Sequence, residues 1–213
     1  KVLIIGMGGL GCPAAEFLTR SGIGTLGLAD YDKVGLSNIH RQILYSEKDI
    51  NKSKVKIAKK KLNEINSKTK INIFNYKLNK IKLNKIIKDY DYIIDGTDNF
   101  ESKFLINDIS LNYKKFLVVG AISKFDGHIF NFDFKIKNNP SLRDFYQEDV
   151  VTNDILNCEY DGILGTVAGI VGTMQANEIL KKILNIGQNL NGFVLILDLL
   201  NLCIRRVKLR KRK

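Results

Sequence analysis

The sequence contains three cysteines, two prolines and no tryptophan among its 213 residues. Cys12, Cys158 and Cys203 are too few and too far apart for a disulfide framework, which indicates a reducing compartment, and we expect a cytoplasmic protein. No apolar run reaches the roughly 18 residues of a membrane-spanning helix. The best candidate, residues 163–174, contains three glycines. We therefore predict no membrane span.

Acidic residues are also in deficit, because 22 Asp and Glu face 34 Lys and Arg, for a net charge of +12. Such an excess is typical of proteins that bind nucleic acid or anionic membranes. However, thirteen lysines and one acidic residue lie at positions 52–88, and seven basic residues lie at 205–213. We interpret these stretches as a solvated helical surface and a basic tail. Nucleic acid is therefore not an expected partner.

The hydrophobic content of 45% is sufficient for a core, which excludes a wholly disordered chain. In the first 119 residues, short apolar runs alternate with segments of helical periodicity. The predicted strands are 2–5, 25–29, 71–74, 92–94 and 116–119, and the predicted helices are 10–21, 53–66, 81–88 and 101–112. This alternation predicts an α/β fold with a doubly wound, Rossmann-like, mostly parallel sheet.

The pattern changes after Gly120, where the chain becomes richer in strand-like runs. We predict, in order, an alternating aromatic strand, a long polar irregular stretch, a helix of small residues and two strands, at 127–134, 135–160, 163–184, 193–197 and 203–209. Irregular loops of that length are uncommon in compact domains and are often functional. No linker divides the chain. We expect one domain over residues 1–213 with a β-rich C-terminal extension.

A glycine-rich loop follows the first predicted strand. The run Gly6-Met7-Gly8-Gly9-Leu10-Gly11 satisfies G-x-G-x-x-G between a strand and a helix. Glycines permit a tight turn and a close backbone approach, and a helix N-terminus favours an anion. Asp30 ends the next predicted strand, where a carboxylate can accept hydrogen bonds from a ribose. These features predict a nucleotide site without specifying the nucleotide.

The segment from Asp32 to Arg41, DKVGLSNIHR, favours a triphosphate over a nicotinamide dinucleotide. A dehydrogenase has no obvious use for Asn38, Arg41 and Lys54 downstream of the ribose acid. A planar guanidinium and a mobile ammonium both suit triphosphate oxygens. The alternative for Lys54 is an ordinary surface lysine in the first turn of a lysine-rich helix.

A third motif, DGTDN at residues 95–99, directly follows the predicted strand 92–94. Ligands of open α/β sheets bind beyond the carboxyl ends of the strands, so Asp98 is placed to bind Mg²⁺. Alternatively, Asp98 or Asn99 caps the helix predicted to start at Glu101. The two roles are compatible.

Together, GMGGLG, LADYDKVGLSNIHRQIL, Lys54 in KSKV and DGTDN resemble the ThiF/MoeB/HesA family over nearly the whole chain. These proteins are bacterial relatives of ubiquitin-activating enzymes. The resemblance implies adenylation, with MgATP, of the C-terminal glycine carboxylate of a small ubiquitin-like sulfur carrier that serves thiamine or molybdopterin synthesis. It also implies a homodimer. Added to the loop glycines Gly6, Gly8 and Gly11, the family's ATP-binding positions fall on Gly9, Asp30, Ser37, Asn38, Arg41, Lys54, Asp98 and Asn99.

Two departures from the family pattern and one uncertain match limit what the resemblance implies. Many members hold a structural zinc with two C-x-x-C pairs, but Ser141 and Asp144 stand where the first pair is expected, so we expect no zinc. The family's N-terminal arm would precede Lys1, and we expect it to be missing from this sequence. Cys158, in NCEYDGILG, matches a loop cysteine that some members use in sulfur or carrier transfer. It is either a catalytic thiol or incidental.

Other functions remain open from the sequence. A related tRNA-modifying dehydratase would suit the positive charge, an NAD-dependent oxidoreductase would suit the glycine loop alone, and a non-catalytic nucleotide-binding scaffold would suit the departures from the family pattern. We expect Cys12 and Cys203 to be packing residues. For His40 and His128 the sequence indicates no partner, and we interpret both as surface or core filling.

Overall fold

A computed structural model describes residues 1–146 and 162–211. Its helices and strands are, in chain order, β1 (Val2–Ile5), α1 (Gly11–Arg20), β2 (Thr25–Ala29), α2 (Lys54–Ile65), β3 (Lys70–Phe74), α3 (Lys80–Ile86), β4 (Tyr92–Asp95), α4 (Phe100–Asn112), β5 (Phe116–Ser123), β6 (Asp126–Asp133), α5 (Leu142–Phe145), α6 (Gly165–Leu184), β7 (Phe193–Asp198) and β8 (Cys203–Lys208). Every predicted strand and helix occurs, with ends that differ from the predictions by a few residues at most.

The strands form one eight-stranded sheet in the order β3-β2-β1-β4-β5-β6-β7-β8. The first five strands in this order are parallel, and each pair from β5 to β8 is antiparallel. Helical crossovers join the parallel strands, whereas short turns suffice between antiparallel neighbours. The predicted α/β fold with a mostly parallel sheet is confirmed, and the predicted β-rich extension continues the same sheet.

Helices cover both faces of the parallel strands, which explains why the inner strands β1, β2 and β4 are mostly apolar and buried. All four residues of β1 are buried. Its side chains alternate between two cores, so that Val2 and Ile4 pack with residues of α1, α2 and α6, whereas Leu3 and Ile5 pack with residues of α3 and α4. Within the described residues, no helix is both long and apolar enough to cross a membrane.

The small residues of α6 allow a close approach to the chain around the glycine loop. A Cβ atom on Gly172 would lie 2.2 Å from the carbonyl oxygen of Leu10, and one on Gly165 would lie 2.4 Å from that of His40. Both distances are too short for a side chain. At these two positions α6 therefore packs directly against the backbone of Leu10 and of His40.

Two local predictions need correction. The strand predicted to end at Val119 continues to Ser123 as β5, because its last residues pair with the start of β6. The polar stretch predicted to be irregular contains the short helix α5. The rest of that stretch, from residue 147, lies outside the described residues.

Candidate nucleotide site

The glycine loop is packed against the backbone that follows β4. Gly6 has a φ of +91°, in the left-handed region, and a Cβ there would lie 2.7 Å from the carbonyl oxygen of Gly96. A Cβ on Gly11 would lie 1.9 Å from the carbonyl oxygen of Gly6. The Gly96 amide also donates to the carbonyl of Ile5 at 2.8 Å. Glycine is thus required for the turn and for the contact between the two loops, as the motif predicted.

Asp30 lies at the end of β2, where backbone amides hold both of its carboxylate oxygens. Oδ2 accepts a hydrogen bond from the Met7 amide at 2.8 Å, and Oδ1 accepts one from the Asp32 amide at 2.8 Å. Burial raises the pKa of Asp30, while the charge of Lys54 and these two amides act in the opposite direction. The carboxylate is therefore anchored to the glycine loop at the edge of the sheet where the sequence predicted a ribose.

Arg41 reaches the glycine loop from the chain between β2 and α2. A 3₁₀ turn at Leu36–Asn38 carries Ser37 and Asn38, and the Arg41 amide donates to the carbonyl of Asn38 at 3.1 Å. Its Nη1 donates to the carbonyl of Ser37 at 3.0 Å, and a Cβ on Gly9 would lie 3.5 Å from its Cγ. Arg41 thus lies beside the loop that would hold a phosphate.

His40 has a partner that the sequence did not indicate. Its Nε2 lies 2.7 Å from Nη1 of Arg41. His40 is exposed, as the interpretation as a surface residue predicted, and the structure adds its contact with a residue of the predicted phosphate site.

Lys54 is the first residue of α2, and only 6% of it is exposed. Its Nζ lies 3.1 Å from Oδ2 of Asp32. The alternative of an ordinary surface lysine is therefore wrong, because the side chain is buried and paired at the edge of the sheet beside Asp30.

Asp98 is exposed just beyond the carboxyl end of β4. Its Oδ1 accepts a hydrogen bond from Nδ2 of Asn99 at 3.3 Å. Asn99 is the N-cap of α4, since its side chain accepts a hydrogen bond from the Ser102 amide at 2.9 Å. The N-cap alternative is thus confirmed for Asn99. A single exposed carboxylate beside a phosphate site fits Mg²⁺, which commonly binds through one or two carboxylates and substrate phosphates.

A buried ion pair behind the DGTDN turn was not predicted from the sequence. Nζ of Lys103 lies 3.3 Å from Oδ2 of Asp95 and donates to the carbonyl of Gly120 at 2.7 Å. Oδ1 of Asp95 accepts hydrogen bonds from the amide and the hydroxyl of Thr97, at 2.9 and 2.7 Å. The sequence does contain a sign of this pair: Lys103 lies three residues before Ile106, on the buried face of α4. A charge on such a face requires a buried partner.

The segment from Gln42 to Tyr45 packs against the glycine loop. The Tyr45 hydroxyl donates to the carbonyl of Met7 at 3.0 Å. The side chain of Gln42 is buried, and a Cβ on Gly8 would lie 3.7 Å from its Nε2. Gln42 belongs to the LADYDKVGLSNIHRQIL run that carries the family resemblance, whereas the sequence did not indicate the contact of Tyr45 with the loop.

The cysteines differ in their surroundings. Cys12 is fully buried, and burial raises the pKa of its thiol to about 12, so the expected packing role is confirmed. Cys203 is exposed, because it lies on the edge strand β8, so the packing role expected for it is wrong. Cys158, the candidate transfer thiol, lies outside the described residues.

Ser141 and Asp144 stabilise the start of α5. Oδ2 of Asp144 accepts hydrogen bonds from the Ser141 amide at 2.7 Å and from the Ser141 hydroxyl at 3.1 Å, which forms a capping box. Among residues 1–146 and 162–211, no group of three or more His, Cys, Asp or Glu is arranged to hold a metal ion.

Comparisons with known proteins identify the family of the chain. The model of the ThiF family matches residues 1–213. A probable molybdopterin-synthase adenylyltransferase of Porphyra purpurea is 41% identical over 210 residues, covering 98% of this chain and 54% of the relative. The adenylyltransferase and sulfurtransferase MOCS3 of Drosophila persimilis is 39% identical over 213 residues, covering 100% and 47%. The chain spans about half the length of these curated relatives.

Solved structures share the fold at low sequence identity. The structure of E. coli MccB with ATP has a TM-score of 0.87 at 19% identity, covering 99% of this chain and 63% of that one. PaaA has a TM-score of 0.83 at 23% identity, covering 97% and 72%. These likenesses concern the fold alone.

Proposed function

The chain belongs to the ThiF family, and from this premise we propose that it adenylates the C-terminal glycine carboxylate of a small ubiquitin-like sulfur carrier with MgATP. One observation carries the proposal. Asp30, Arg41 and Lys54 all lie at the glycine loop or beside its carboxylate anchor, at the carboxyl ends of the parallel strands. Relatives about 40% identical, named as adenylyltransferases, support the same reaction.

In the proposed reaction, a carboxylate oxygen of the carrier attacks the α-phosphorus of ATP. An acyl-adenylate forms, the bond from the α-phosphorus to the bridging oxygen breaks, and pyrophosphate leaves with the electron pair. A carboxylate is already ionised at neutral pH, so no general base is needed. The difficulty is to bring two anions together, which requires positioning and neutralisation of charge.

The residues at the site can supply both. Asp30 would accept hydrogen bonds from the ribose, while Arg41 and Lys54 would neutralise phosphate charge as a planar fork and a point charge. Asp98 would hold Mg²⁺, and a bound Mg²⁺ would add positive charge at the phosphates. We further propose, from the family resemblance, that residues 1–213 form one ATP-binding adenylation domain and act as a homodimer.

The test is ATP–pyrophosphate exchange by the purified chain with MgCl₂, with and without small ubiquitin-like proteins that end in Gly-Gly. We expect exchange that depends on the carrier and disappears when its terminal glycine is deleted. Exchange that depends on tRNA would instead support the dehydratase branch, and binding of NAD without exchange would support an oxidoreductase. Nucleotide binding without any turnover would indicate a non-catalytic relative.

A further inference from the structure

Asp32 and Lys54 are brought together by the backbone, although 22 residues separate them. The amide of Lys54 donates to the carbonyl of Asp32 at 3.0 Å. Two further backbone hydrogen bonds join the same two segments. The Val34 amide donates to the carbonyl of Lys52 at 2.9 Å, and the Asn51 amide donates to the carbonyl of Val34 at 2.9 Å. The contact between the two side chains is therefore a consequence of a fixed main-chain arrangement and not of chance on a mobile surface.

The ammonium of Lys54 has two carboxylates near it, and it pairs with Asp32. Both oxygens of Asp30 already accept backbone amides, from Met7 and Asp32. The carboxylate of Asp32 is half-exposed, whereas the Lys54 side chain is 7% exposed. An ammonium has three N–H donors, and the contact with Asp32 uses one of them. The other two N–H donors can point at an anion that binds beside Asp30.

We propose that Asp32 is a positioning residue for the adenylation reaction: its ion pair holds the Lys54 ammonium in the orientation that neutralises the charge of the triphosphate. This inference rests on the proposed function. A lysine side chain is flexible and would otherwise sample many rotamers. Asp32 also places a negative charge near the polyphosphate, which opposes binding of the nucleotide. Its benefit must therefore appear in the reaction step rather than in the affinity for ATP.

The chain offers a clean substitution. Asp32→Asn keeps the size of the side chain and the backbone hydrogen bonds of residue 32, and removes only the charge. We expect kcat of carrier-dependent pyrophosphate exchange to fall about tenfold, while KM for ATP does not rise. Asp32→Glu, which retains the charge, should recover part of the loss. Glu16→Gln is the matched control, because it removes one charge from an exposed pair with Arg20 and should leave kcat unchanged.

A double-mutant cycle with Lys54→Met separates positioning from a structural role. If Asp32 acts through Lys54, Asp32→Asn should change kcat less than about twofold in the Lys54→Met background. Equal losses in both backgrounds, or a wild-type kcat for Asp32→Asn, would overturn the inference and leave the proposed function intact. Absence of carrier-dependent exchange in the wild type and in Glu16→Gln would overturn both.

Discussion

The two halves of the sheet contrast in where their polar residues lie. In the half built from β1 to β4, β1 is entirely buried, β2 and β4 nearly so, and the polar side chains of the candidate site follow the strand ends. In the half built from β5 to β8, aromatic side chains stack along β6, as between Phe130 and Phe132, and β8 is exposed along its whole length. The residues assigned to the nucleotide site that the structure describes all belong to the first half.

The difference follows from strand direction. Parallel strands end at the same edge of a sheet, so the loops after β1, β2 and β4 converge there. Antiparallel strands place successive turns at opposite edges, and their loops diverge. The contrast teaches that the polar residues of the candidate site lie where the ends of parallel strands converge, whereas the buried aromatic side chains of β6 serve packing in the other half.

The largest effect should come from Arg41, the arginine proposed to neutralise the phosphates. We expect Arg41→Ala to reduce carrier-dependent pyrophosphate exchange at least about hundredfold, because charge neutralisation is the main requirement of the reaction. Far-UV circular dichroism and thermal melting should remain close to the wild type. Arg20→Ala, at an exposed arginine paired with Glu16, is the control and should retain exchange. Near-normal exchange by a folded Arg41→Ala variant would refute the role assigned to Arg41.

The next effect concerns the joint between the two halves, where Lys103 bridges Asp95 of β4 and Gly120 of β5. Lys103→Met should lower the free energy of unfolding by about 3–5 kcal/mol, because it leaves the Asp95 carboxylate buried without its cation. Urea denaturation measures the loss. Lys56→Met, at an exposed lysine of α2, should have little effect. Equal stability of the two variants would show that the buried pair does not hold the halves together.

A substitution in the glycine loop should lower the free energy of unfolding by less than Lys103→Met does. A Cβ on Gly11 would overlap the carbonyl oxygen of Gly6, so Gly11→Ala must shift the loop. We expect a loss of about 1–3 kcal/mol in stability and a clear loss of ATP affinity by calorimetry. At Gly24, a Cβ would meet no atom of the described residues within 4 Å. If Gly24→Ala and Gly11→Ala behaved alike, the close packing of the loop would not matter.

The smallest effect lies in the antiparallel half and depends on pH. Nδ1 of His128 lies 3.2 Å from the Tyr146 hydroxyl, a partner that the sequence did not indicate. Burial lowers the pKa of His128, with the charge of Asp126 acting in the opposite direction. Below its unfolded pKa of about 6.5, the unfolded state therefore binds more protons at this site than the folded state, and stability is lost as pH falls.

His128→Gln removes this titration. Between pH 7.5 and pH 5.5, we expect the urea midpoint of the wild type to fall more than that of His128→Gln. Tyr146→Phe, which removes the hydrogen bond but keeps the histidine, should retain the pH dependence of the wild type. Parallel profiles for the wild type and His128→Gln would contradict the prediction.

Features encoded over short stretches could be predicted from the sequence. The sequence predicts β2 at its observed bounds because the short, mostly apolar run Thr25–Ala29 ends at the charged Asp30. The glycine loop and Asp30 were placed together because the motif and its spacing to the next strand are local. Lys54 lies four residues before Ala58, on the buried face of α2, but the many lysines of this helix gave no reason to expect that its charge is buried and paired.

The sequence by itself determined the order of strands and helices, the glycine loop and the residue types available at the strand ends, because backbone preferences and periodicity act over a few residues. Only the tertiary structure decided the ion pairs of Asp32 with Lys54 and of Asp95 with Lys103, the contact of His40 with Arg41 and the close packing of α6 on the loop. These contacts depend on which strands become neighbours and on where each crossover helix lands, and the energies that select those arrangements come from burial across the whole sheet.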